Sequence, residues 1–179
     1  YSAFVLPLLT FFGSRPLTLR GRLVIGAIPL LGYLLFFGGF DPIASLPIPW
    51  IQEKLWIYER LRDSGMAGDA INVFNIVYVM RLLVFYLLLW KYDVIKEQAP
   101  NLSLLLKVFA ISYFCFTALG ALPVMAFRYA ELFGVVEIVM VPYLALTMKP
   151  EAFGKSLVIV FAFGCMMLNV FYNELLKLS

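Results

Sequence analysis

Histidine is absent from this chain, and cysteine and charge are scarce. The lack of histidine excludes catalytic triads, metal sites and general bases that depend on an imidazole. The two cysteines, Cys115 and Cys165, lie in separate apolar runs, so we expect buried free thiols rather than a disulfide or a zinc site. The net charge of +3 is small and dispersed, and it does not indicate nucleic-acid binding. The sequence therefore predicts no metal, no cofactor and no nucleic-acid partner.

The chain is also poor in charge for its length and rich in apolar residues. Charged residues make up 14% of the 179 positions and hydrophobic residues 63%, whereas soluble domains have about 25% and 45–50%. One core of this size cannot shield so much apolar surface from water. The composition predicts an all-α fold, a polytopic transmembrane helix bundle that forms a single unit over residues 1–179.

Long apolar runs mark the predicted membrane spans, each of about 20 residues. Five complete spans are predicted, over residues 23–40, 70–90, 102–126, 129–148 and 153–173. The apolar run before Arg15 is too short to span a bilayer, and it lacks the basic region of a signal peptide. We interpret residues 1–13 as the end of a further span, and the chain as the C-terminal portion of a larger membrane protein.

Basic residues near the ends of the spans predict the orientation in the membrane. Loops 14–22, 91–101 and 149–155 carry more lysine and arginine than the loops on the other side, so we assign them to the cytoplasm. The opposite face receives the one long loop, 41–69. Within it, residues 50–62 interleave aromatic and charged side chains, which predicts an amphipathic helix lying at the lipid headgroups.

Three ionisable groups inside or beside the spans need an explanation. Arg81 lies near the middle of the 70–90 span, where an arginine costs about 2.5–3.5 kcal/mol on insertion scales. It is either half of a structural ion pair or part of a functional site, and the sequence leaves both open. Glu137, inside the 129–148 span, needs a cationic partner, and Arg81 is a candidate.

Arg128 and Glu131 lie at the predicted start of the fourth span. Their spacing of three residues puts them on one helix face. One interpretation is structural: Glu131 in the first turn stabilises the helix dipole, and Arg128 pairs with it. The other interpretation depends on a resemblance.

The stretch FRYAELFGVVEIVMVPYLAL (127–146), followed by FGKSLVIVFAFGCMMLNVFYNELL (153–176), resembles the C-terminal part of the Wzy/EpsG family. These are polytopic polymerases of O-antigens and exopolysaccharides in the bacterial inner membrane. Arg128, Phe133 and Pro142 match the spacing of the family motif. Leu132 stands where the family usually has tyrosine, which is a departure from the motif.

The resemblance implies a multi-pass membrane glycosyltransferase. Such an enzyme transfers a growing chain from undecaprenyl diphosphate to a hydroxyl of the next lipid-linked repeat unit, at the periplasmic face. The 41–69 loop would then be periplasmic. The implied partners are lipid-linked oligosaccharides, the lipid bilayer and, as an option, a chain-length regulator protein.

The same resemblance assigns roles to residues. Arg128 would stabilise the departing diphosphate, because a guanidinium binds phosphate oxygens through two parallel hydrogen bonds and keeps its proton. Glu131 would orient Arg128 or act as the base, with Asp63 and Asp69 as rivals for the second role. Five further residues are assigned to substrate binding: Arg81, Arg60, Arg62, Asn72 and Tyr129.

Two other functions fit the same sequence. Arg81, Asn72 and Asn75 would suit the translocation path of a transporter or flippase for lipid-linked sugars, although no internal repeat typical of transporters is evident. The third is a non-enzymatic membrane scaffold, in which the charged residues would have only the structural roles described above.

Overall fold

The computed structural model describes most of the chain from Arg15 onward. The described residues are 15–39, 49, 52–53, 56–57, 60, 64, 71–120, 122–148 and 150–171. They form helices and turns and contain no strand, which confirms the all-α class. The partial span expected at residues 1–13 lies outside them, as do Arg62, Asp63 and Asp69.

Apolar helices make up nearly all of this structure. In chain order they are α1 Leu19–Phe37, α2 Ile76–Trp90, α3 Tyr92–Ile95, α4 Leu102–Ala118, α5 Pro123–Gly134, α6 Glu137–Met140, a 3₁₀ helix Val141–Thr147, and α7 Glu151–Phe171. Two helical stretches among the described residues, Leu19–Phe37 and Pro123–Thr147, are long and apolar enough to cross a membrane. The complete bundle of spans stays a prediction.

The structure divides two of the predicted segments differently from the sequence analysis. Helix α4 ends at Ala118, and Pro123 begins α5 instead of lying inside the preceding helix. A proline fits the first helical position because its missing N–H would have no intrahelical partner there. Helix α2 begins at Ile76 rather than near residue 70, since the Asn75 side chain accepts a 3.0 Å hydrogen bond from the Val77 N–H and caps the helix.

The described residues fall into two compact units. The first lies within Tyr1–Thr18, Phe74–Lys107 and Val135–Ser179. In it, α2, α3 and α7 pack against the 3₁₀ helix. Two long-range hydrogen bonds attach the segment before α1: Ser103 Oγ donates to the Arg15 carbonyl at 2.6 Å, and the Leu17 N–H donates to Tyr92 Oη at 3.0 Å.

The second unit lies within Leu19–Val73 and Val108–Gly134. Here α1 packs closely against the second half of α4. The Tyr33 hydroxyl lies 3.0 Å from the Tyr113 hydroxyl and donates to the Val73 carbonyl at 3.0 Å. Helix α5 is attached to α4 through Ser112 Oγ, which donates to the Ala130 carbonyl at 2.6 Å.

The outer surfaces of several helices are apolar. In α1, Leu23 and Leu34 are each 69% exposed, and in α7 Val160 is 70% exposed. Contiguous apolar surface of this kind is rare on soluble monomers. It agrees with lipid as the solvent that the composition predicts.

Only part of the predicted amphipathic helix at 50–62 is described. Its described residues are Gln52, Glu53, Trp56, Ile57 and Arg60, which are helical and exposed. An interfacial helix along this whole stretch stays a prediction.

Candidate functional site

Helix α5 has two contrasting faces. Ala126, Ala130 and Phe133 are buried, at spacings of four and three residues that align them on one side of the helix. The opposite side is exposed and mixes apolar and charged side chains: Val124, Phe127, Arg128, Glu131 and Leu132. We call these five residues the exposed face of α5. It offers one guanidinium and one carboxylate within an apolar surface.

The two charged groups of this face are not paired with each other. Within the described part of the chain, neither the Arg128 nor the Glu131 side chain forms an ion pair or a hydrogen bond. The structural interpretation, in which Arg128 and Glu131 neutralise each other, is therefore wrong. No described residue uses the hydrogen-bonding capacity of these two groups, which can therefore serve a ligand or solvent.

The position of Glu131 in the helix also differs from the expectation. Because α5 begins at Pro123, Arg128 is its sixth residue and Glu131 its ninth, and the first turn carries no acidic residue. The helix dipole acts on charges within the first turn only. Glu131 is therefore too far from the start of α5 to stabilise it through the helix dipole.

The three motif residues occupy different structural positions. Arg128 is exposed, Phe133 is buried on the opposite side of α5, and Pro142 lies in the first turn of the 3₁₀ helix. Phe133 is thus a packing residue, and Pro142 takes a position that tolerates a missing N–H. Leu132, where the family usually has tyrosine, is 38% exposed, so this position does not belong to the core.

Three other assigned residues of this unit, Tyr129, Arg60 and Asn72, are exposed too, while Arg62 lies outside the described residues. Tyr129 follows Arg128 and is 45% exposed. Arg60 lies over the ring of Trp56, with its guanidinium carbon 3.6 Å from the ring centre. This is a cation–π contact, which holds the arginine side chain along the helix surface. Asn72 is exposed on the segment before α2.

Arg81, in the first unit, forms an ion pair with Glu137, the partner that the sequence suggested. Its Nε lies 3.0 Å from Oε2 of Glu137, and the two side chains are 27% and 15% exposed. The guanidinium carbon is also 5.1 Å from the centre of the Tyr78 ring. Arg81 is the sixth of the 15 residues of α2, about 7.5 Å along the axis from the helix start.

The helical backbone is interrupted directly before Glu137. A turn at Val135 and Val136 separates α5 from α6, and Glu137 is the first residue of α6. After four residues α6 gives way to a 3₁₀ helix of seven residues, although runs longer than three or four are uncommon. Sequence analysis missed this interruption, for which Gly134 and Pro142 are the only local signals.

Comparison with known proteins settles the family. The model of the EpsG family matches residues 1–178, which is nearly the whole chain. This chain belongs to the EpsG family. EpsG family members are polysaccharide polymerases, so the resemblance based on Arg128, Phe133 and Pro142 is confirmed. No curated protein and no solved structure matches the chain.

Membership in the EpsG family supports two coarse statements about function. The chain is a membrane protein, in agreement with the two long apolar helical stretches among its described residues, and it belongs to polysaccharide biosynthesis. The specific reaction, the face of the membrane where it takes place and the roles of individual residues are taken up as proposals.

Proposed function

We propose that this EpsG family member is a membrane glycosyltransferase that polymerises oligosaccharide repeat units carried on undecaprenyl diphosphate. In each cycle the hydroxyl oxygen of an acceptor unit bonds to the anomeric carbon of the donor chain. The bond from that carbon to the diphosphate oxygen breaks, and undecaprenyl diphosphate leaves with the electron pair. The hydroxyl proton passes to a base.

The observation that carries this proposal is that Arg128 has no ionic partner among the described residues. A departing diphosphate gains negative charge, and fixed cations directed at it lower the barrier. An arginine already held by a carboxylate would have fewer donors to offer, whereas Arg128 has no such partner among the described residues. It is therefore the better candidate for the leaving group.

The surroundings of Arg128 fit an amphipathic ligand. Phe127 and Leu132 flank it on the exposed face of α5. A polyprenyl diphosphate joins a hydrocarbon chain to an anionic head group, so apolar side chains beside a guanidinium match both parts. By the orientation predicted from loop charges, α5 begins at the periplasmic side, where the lipid-linked units would be joined.

Glu131 is the candidate base. Without histidine a carboxylate is the most available group for accepting the hydroxyl proton. Glu131 lies one helical turn from Arg128 on the same face. Asp63 and Asp69 remain rivals for this role.

The test is polymer formation in cells that lack the native copy and carry the full-length protein. We expect Arg128→Ala to abolish polymer at a normal protein level, with single repeat units still delivered to the outer face. Arg128→Lys keeps the charge but loses the bidentate geometry, so partial activity is expected. Arg20→Ala, which removes an exposed arginine at the predicted cytoplasmic side, is the matched control and should leave polymer unchanged. Full-length polymer in Arg128→Ala cells would refute the assignment.

Transport of lipid-linked sugars is a second candidate, favoured by the helix interruption at Val135 and Val136. Discontinuous helices are frequent at the binding sites of transporters. Asn75, however, uses its side-chain oxygen to cap α2, which weakens its proposed part in a translocation path. The same cells separate the two functions: loss of a flippase leaves repeat units facing the cytoplasm, and loss of a polymerase leaves them outside but unjoined.

A further inference from the structure

The Arg81–Glu137 pair has hydrogen-bonding groups to spare. Its close contact joins Arg81 Nε to Glu137 Oε2 at 3.0 Å. The described residues offer no other hydrogen bond to the terminal nitrogens of Arg81 or to the second carboxylate oxygen of Glu137. Both side chains are partly exposed, so these donors and acceptors are open to a ligand.

The charge of the pair restricts what that ligand can be. Arginine and glutamate together are neutral, so a phosphate attracted by the guanidinium is repelled by the adjacent carboxylate. A hydroxyl group both donates and accepts, and can therefore bind to the carboxylate oxygen and to the guanidinium N–H groups. Neighbouring hydroxyls on a sugar ring match such a donor–acceptor pair.

The backbone at Glu137 gives independent support for a binding position. Interrupted helices inside a membrane are tolerated where the irregular backbone is buried in protein or lines a wet cavity. Glu137 directly follows the interruption and is partly exposed. A carboxylate serving only to neutralise Arg81 would not need an irregular backbone beside it.

We propose that Arg81 and Glu137 form a subsite for saccharide hydroxyls of the lipid-linked substrate. Glu137 fixes the guanidinium through Nε and accepts a hydroxyl hydrogen bond, while the terminal nitrogens of Arg81 donate to sugar oxygens. This inference rests on the proposed function for the identity of the glycan-bearing lipid. It also removes Arg81 from the diphosphate site and leaves that role to Arg128.

The test compares two probes on purified full-length protein in lipid nanodiscs. One is the native lipid-linked repeat unit isolated from cells that lack the polymerase, and the other is undecaprenyl diphosphate without sugar. In the double variant R81M/E137L, which removes the pair without leaving an unpaired charge, we expect the Kd of the sugar-bearing lipid to rise about ten-fold or more. The Kd of undecaprenyl diphosphate should not change. Unchanged affinity for both probes, or equal weakening of both, would overturn the subsite.

A charge-swapped variant, R81E/E137R, keeps an ion pair and serves if the first variant does not accumulate. A purely structural pair predicts wild-type Kd values for both probes after the swap. The proposed subsite predicts a selective loss of affinity for the sugar-bearing lipid, because the guanidinium and its N–H donors now lie on α6 instead of α2. Arg128→Ala reports on the proposed function instead: it should weaken both probes, and if it weakens neither, the diphosphate assignment fails while the sugar subsite stands.

Discussion

At the residue scale, two of the four charged residues of the candidate sites, Arg81 and Glu137, pair with each other, and the other two, Arg128 and Glu131, do not. Arg81 is held by Glu137 at 3.0 Å, whereas Arg128 and Glu131 have no ionic partner in the described part of the chain. The first result follows from the sequence, because an arginine and a glutamate in apolar helices each require a counter-charge. The second does not, since a spacing of three residues permits an ion pair but does not require one.

The Arg81–Glu137 pair makes a prediction about stability. In Glu137→Ala the guanidinium keeps its apolar surroundings but loses its counter-charge, at a cost of about 2.5–3.5 kcal/mol. We expect a lower Tm in detergent for this variant than for R81M/E137L, in which no charge is left unpaired. Equal destabilisation of the single and the double variant would show that the pair does not offset the burial of charge.

At the element scale, helix starts and interruptions decide where the functional side chains lie. Apolar periodicity located the helices but misplaced two of their starts. It placed the start of α2 at residue 70, six residues before Ile76, and the start of α5 at residue 129, six residues after Pro123. The reasons are local: Asn75 caps α2 and Pro123 begins α5. The break after Gly134 lies within a continuous apolar run, so hydropathy alone cannot reveal it.

Close packing of α1 against α4 gives a prediction at this scale. A Cβ at Gly32 would overlap Thr117 Oγ1 and lie 3.2 Å from the Phe114 carbonyl oxygen. The backbone part of this contact cannot move aside easily, so Gly32→Ala should destabilise the protein by about 1–3 kcal/mol. The measurement is Tm in detergent.

Gly164 in α7 is the matched control for that substitution. Among the described residues nothing lies within 4 Å of a Cβ added there. Gly164→Ala should therefore leave Tm unchanged or raise it slightly, because alanine is the better helix former by about 1 kcal/mol. A similar loss of Tm in both variants would argue against a specific close contact at Gly32.

At the scale of the whole molecule, composition predicts the membrane class, and family membership agrees with it. The scarcity of charge and the lack of histidine come directly from the sequence. Orientation is less well determined, because it depends on a modest excess of lysine and arginine in three loops. For the long loop, the pattern of aromatic and charged residues predicts a helix at the lipid headgroups, and this stays a prediction.

Orientation can be measured by cysteine labelling. With Cys115 and Cys165 replaced by alanine, a cysteine is introduced at Ser64 or at Glu97, both of which are exposed. A membrane-impermeant maleimide applied to intact spheroplasts should label Ser64→Cys, while Glu97→Cys should react only after lysis. The reverse pattern would invert the predicted orientation and place the 41–69 loop in the cytoplasm.

Release of undecaprenyl diphosphate by the purified protein tests the central claim most directly. Supplied with native lipid-linked repeat units, the wild-type protein should release one undecaprenyl diphosphate for each glycosidic bond formed. Arg128→Ala should retain its fold and lose this release, because no guanidinium then meets the departing diphosphate. Release at the wild-type rate by Arg128→Ala would contradict the account.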